Sequence, residues 1–207
     1  MIYLLKEVTG ELTMLLRISV LTCLLIILPG CDDKSKSSEK DAKASTSTTT
    51  VIPSSHFASN RPADVKDLAE VKKAAKKGEE VVFLARVGGK ADPFVESHAI
   101  FLAADPKLLS CELMADDDHC SVPEDYCCED PDNLKAGLAT IQFVDDKGQP
   151  IKTTAMGAGG LEPLKFIVVN GIVREKNNDG LFIVDAETVW VGGKPSFKDP
   201  LAGSVAR

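Results

Sequence analysis

The sequence predicts a mainly β protein: a small barrel or curled sheet of five to six short strands with one N-terminal helix. Three observations predict it. Short β-branched and aromatic runs recur from residue 80 onward, separated by turn residues. Lys147-Gly148 and Asp179-Gly180 join such runs in the manner of hairpins. Only residues 64–77 carry a clear helical period. The 207 residues allow one folded domain with appendages, and a hydrophobic share of 44% excludes a wholly disordered chain. A net charge of −7 argues against a polyanion binder working by electrostatics alone.

Residues 18–28 (ISVLTCLLIIL) are an uncharged apolar run after Arg17. A spanning helix needs about 20 apolar residues, so this run suits the core of a signal peptide. Leu28, Pro29, Gly30 and Cys31 follow, and composition turns polar at that cysteine. The segment resembles the bacterial lipobox, with Pro29 where that pattern has a small residue. The resemblance implies removal of residues 1–30 by signal peptidase II and acylation of Cys31. Two or three acyl chains anchor firmly where one binds marginally. The expectation is a cell-envelope lipoprotein facing the periplasm or exterior, held to the lipid bilayer through Cys31. A secretory signal followed by a chance cysteine is the plainer alternative. Met14 is an alternative start that drops Glu7 and Glu11 and leaves a tidier signal.

Residues 31–62 are rich in Ser, Thr, Lys and Asp. Such a stretch buries too little to offset its ordering entropy. It is expected to be a flexible tether spanning on the order of 30 Å, with His56 and Phe57 incidental. The folded domain is then 63–191. In the helix at 64–77, Val65, Leu68, Ala69 and Ala75 share a stripe, Asp64 and Asp67 come early, and Gly78 is the stop. Lys72 to Lys77 are expected on a solvated face near the negative end of the helix dipole. Strands are expected at 80–87, 98–104, 139–144, 151–155, 166–174 and 181–191, a connection at 157–164, and a loose tail at 192–207.

Residues 166–191 (FIVVNGIVREKNNDGLFIVDAETVWV) look like the last two strands of an OB-fold, and EVVFLARVGGK suits its first. VGGKADPFVESHAIFLAADP, with the EDYCCE of the following insert, resembles a group of uncharacterised OB-like envelope lipoproteins of planctomycete-type bacteria. The resemblance implies a barrel over residues 79–191 and carries no activity. Its usual helix between the third and fourth strands has only residues 161–164 to form from. The expected role is a non-enzymatic binding or scaffolding domain for an unknown protein or small-molecule ligand. An oligonucleotide or oligosaccharide binder is the fold-level alternative. Against nucleic acid, Lys6, Arg17, Glu7 and Glu11 precede residue 32, which leaves 22 basic and 29 acidic residues from Asp32 onward. Phe83, Phe101, Phe143, Phe166, Phe182 and Trp190 also sit within apolar runs and read as core rather than as stacking platforms.

Four of the six cysteines, Cys111, Cys120, Cys127 and Cys128, lie in an insert at 106–135. From Cys111 to Asp132 there are nine acidic residues and no Lys or Arg. Three readings compete. Two disulfides are the simplest outcome in an exported protein, each of Cys127 and Cys128 pairing with Cys111 or Cys120. Closing a loop of about 15 residues contributes about 3 kcal/mol. A zinc or copper site is the second, with Cys111, His119, Cys120, Cys127 and Cys128 as donors and Asp116 to Asp118 nearby. Thiol redox chemistry is the third, opposed by carboxylates that hold thiols protonated. No nucleophile elbow, zinc-protease helix or dinucleotide fingerprint is present, so no catalytic residue or organic cofactor is assigned.

Overall fold

The computed structural model describes residues 51–113, 122, 124–195 and 204, all in the second of the chain's two units, Ser47–Arg207. The apolar run, Met14, Cys31 and the tether up to residue 50 lie outside the described residues. So do Asp116 to Asp118, His119 and Cys120 of the insert, and most of the tail.

Two short strands, β1 (Phe57–Ala58) and β2 (Lys66–Asp67), precede helix α1 (Leu68–Ala74). There follow β3 (Glu80–Val87), β4 (Ile100–Ala104), helix α2 (Pro131–Gly137), β5 (Leu138–Gln142), β6 (Phe166–Lys176) and β7 (Phe182–Val191). Strand β4 pairs antiparallel with β3 and β5, and β5 runs parallel to β7. Strand β6 pairs antiparallel with both β7 and β3 and closes the ring. The protein is thus mainly β, a five-stranded OB-like barrel with two added strands and two helices. Closure removes the unpaired edges that an open sheet of these strands would carry.

Alternation fills the barrel. Val81, Phe83, Ala85 and Val87 of β3 point inward and meet Phe101, Ile141, Phe143, Val169, Phe182 and Val184 in one buried cluster. Each large side chain buried there contributes about 1.5–3 kcal/mol. Phe83, Phe101, Phe143, Phe166, Phe182 and Trp190 are all buried, as their apolar settings predict. Gly171 marks a register shift between β6 and β7, where a Cβ would come within 2.2 Å of the Asp185 carbonyl oxygen. Only glycine lets the two backbones approach so closely.

The structure corrects four expectations. The tether does not run to residue 62. From Val51 the chain is ordered on the barrel, with the Phe57 ring 5.6 Å from that of Phe143. Strand β1 pairs with β7 and β2 with β3, so residues 57–67 form a strap over an outer apolar cluster of Leu84, Phe166, Val168 and Trp190. A few hydrophobes, Phe57, Ala58 and Val65, decide this against the polar average. The helix expected at 64–77 is confined to α1. Lys72 is not on a solvated face but buried within it. Residues 151–155 form no strand: Ile151 still bonds to the Phe143 and Ala99 backbones, but the Thr153 N–H then donates back to the Ile151 carbonyl and turns the chain. One isolated bridge joins Val144 to Pro150, and Ile151 and Ala155 pack into the core instead. Between β5 and β6 the only helical piece is a single 3-10 turn, Ala158–Gly160. Among the described residues, no helix is long and apolar enough to cross a membrane.

Candidate functional site

The cysteine insert leaves the end of β4 and returns through α2 into β5, so the barrel wall positions both its limbs. Arg86 is the fixing point. Along β3, Ala85 and Val87 face the core, which turns Arg86 outward, yet the insert covers it completely. Its Nη2 donates to the Leu108 carbonyl and, at 3.4 Å, to that of Pro106. The guanidinium also lies 5.9 Å from the ring centre of Tyr126 and 5.8 Å from that of Phe166. Such a cation between aromatic faces is well placed in a desolvated site.

Tyr126 carries the returning limb. It packs with Ala104, Leu108 and Leu164 in a small cluster of its own. Its ring rests on Gly88, where a Cβ would fall 2.8 Å from Cε2. Burial raises the phenol above its ordinary pKa, partly offset by the Arg86 charge. Asp130 then starts α2 as its N-cap, accepting from the N–H of Asp132 at 2.8 Å, with Pro131 in the first turn.

Glu129 ties the two limbs together. Its carboxylate accepts from the Asn133 side chain at 2.9 Å and from the Leu109 N–H at 3.1 Å. The Asn133 bond is the main reason its carboxyl sits below the usual range. The Cys111 N–H donates to the Asp125 carbonyl at 2.8 Å, a second tie across the limbs.

These ties bring three sulfurs to one point. Cys111 Sγ lies 3.5 Å from Cys127 Sγ, and Cys127 Sγ lies 3.8 Å from Cys128 Sγ. All three lie within 4.8 Å of one another. Cys111 is buried, while Cys127 and Cys128 are exposed. A disulfide is about 2.05 Å long, so the three are in contact and not bonded to each other. The structure therefore gathers three of the five donors that the sequence offers for a metal; His119 and Cys120 lie outside the described residues.

No protein-family model, no curated protein and no solved structure matches the chain. Its chemistry is read from geometry alone.

Sequence reasoning missed Arg86, Tyr126 and Lys72. Arg86 had a usable signal, a lone charge at an outward position late in an apolar strand. Tyr126 and Lys72 had none, because their partners lie far off in sequence. A second concavity, about 570 Å³, lies between α1, α2 and the turn from β6 to β7. Lys72 and Lys176 line it, but both ammonium groups are bound to backbone carbonyls.

Proposed function

We propose that this chain is a non-enzymatic envelope lipoprotein, tethered through acylated Cys31, whose OB-like barrel is a binding or scaffolding module. One observation carries the reading of the barrel. Its interior is filled with side chains from every strand, so any partner is engaged on the outer surface. The most differentiated part of that surface is the cysteine insert, which Arg86 and Tyr126 hold against the wall. The strand aromatics that a single-stranded nucleic acid would stack on are committed to packing. With an acidic charge balance, this favours a protein or small-molecule partner over an oligonucleotide.

The tether rests on the apolar run ending at Cys31 and the polar stretch behind it. Labelled palmitate should be incorporated into the parent chain and lost in a Cys31→Ala variant. The variant should also move from the detergent to the aqueous phase on phase separation. Equal partition of both chains into detergent would refute acylation at Cys31.

A further inference from the structure

The convergence of Cys111, Cys127 and Cys128 fits a particular coordination geometry. Four thiolates about a zinc ion, each about 2.3 Å from it, stand about 3.8 Å apart along the edges of the tetrahedron. The observed neighbours, at 3.5 and 3.8 Å, already stand at that spacing. An S–S bond would require Cys111 and Cys127 to close by about 1.5 Å and would leave Cys128 with no part in the cluster.

The frame around the sulfurs is built for position. Cys111 opens a 3-10 turn, Cys111–Leu113, and its N–H is fixed by Asp125. Cys127 and Cys128 follow a tyrosine locked against Gly88 and precede a glutamate bonded to the opposite limb. Rigid limbs lower the ordering cost of binding. One buried and two exposed donors also leave a path by which an ion can enter.

From this geometry we infer that Cys111, Cys127 and Cys128 form a site for one thiophilic d10 cation, zinc or cuprous copper. Three thiolates suit either ion; zinc keeps a fourth position for water or another donor. Each cysteine enters as its thiolate, so binding releases protons and weakens as pH falls. The site stands independently of whether Cys31 is acylated.

The test uses the full chain in detergent, kept reduced by a phosphine and dialysed separately against zinc and against cuprous copper. One ion per chain is expected from at least one arm, and the arm that loads identifies the metal. Cys127→Ser and Cys128→Ser, both at exposed positions, should each weaken retention at least about tenfold, while the metal-free melting temperature stays at the parent's. The inference fails if the reduced chain retains neither ion. It fails equally if both variants hold the metal as tightly as the parent. A native mass about two daltons low for each disulfide, with no metal bound after reduction, would replace it with an oxidised staple.

Discussion

Lys72 Nζ donates to the carbonyls of Lys135, Leu138 and Gly180 at 2.7, 2.6 and 2.8 Å, so each proton of the ammonium serves a different segment of chain. The three acceptors belong to α2, to the start of β5 and to the turn between β6 and β7. One side chain thereby binds α1 to the end of the barrel. Burial, and then the charge of Lys176, pushes its pKa from 10.5 down to about 8. Below about pH 8 the ammonium is charged in both the folded and the unfolded chain. Between about 8 and 10.5 the unfolded chain holds the extra proton, so this group makes stability rise with pH across that window. Lys72→Met removes the charge but leaves three buried carbonyls without their donor. It should cost about 2–4 kcal/mol at pH 7, and the rise between pH 8 and 10.5 should vanish with it. Denaturant titrations of both chains from pH 7 to 10.5 check this. Equal midpoints at pH 7 and parallel pH dependence would show that Lys72 contributes nothing there.

The cysteine insert behaves as an element of its own, docked by side chains rather than by sheet pairing. Helix α2 inside it was not read from the sequence, although Asp130-Pro131 offers an N-cap followed by a first-turn proline, because the acidic run around it masks the signal. Its docking was not legible, because Arg86 reaches carbonyls 20 and 22 residues ahead in sequence. Arg86→Met should therefore loosen the insert before the barrel, at a cost of about 3 kcal/mol. Limited proteolysis should cut the variant within the insert, giving one fragment that ends after β4 and one that begins before β5. Tyr126→Phe serves as the matched control. It deletes only a buried hydroxyl with no hydrogen-bond partner among the described residues, so stability should stay within about 1 kcal/mol. Cleavage of Arg86→Met no faster than the control would refute the docking role. Acid acts on the same element through Glu129, whose carboxyl is held below the usual range. That contribution is present above its unfolded pKa and is lost as pH falls through the folded one.

At the scale of the whole molecule, the barrel strands follow from turn chemistry and alternation, and the strap does not. Asp179-Gly180 and the β-branched runs beside it announce β6 and β7, whereas Phe57 and Val65 lie in a Ser-rich stretch whose average is polar. Val65, with Ala58, covers the apolar face that Phe166, Val168 and Trp190 turn outward, while Phe57 packs on the inner cluster beside Phe143. Each end of the strap pairs over two residues only, so apolar contact and not the ladder holds it. Arg61 adds a cation 5.9 Å from the ring centre of Trp190. Phe57→Ala should then cost roughly 2–3 kcal/mol, lowering the melting temperature by about 5–10 °C. A chain starting at residue 68 should lose more, since the whole outer cluster meets water and invites association. Trp190 is the only tryptophan and is nearly buried, so its fluorescence reports on the strap directly. Its emission should shift to the red in the shortened chain and stay unchanged in one that begins at Val51. If both shortened chains melt and emit alike, the barrel holds its outer face without the strap, and residues 51–67 would be a tether after all.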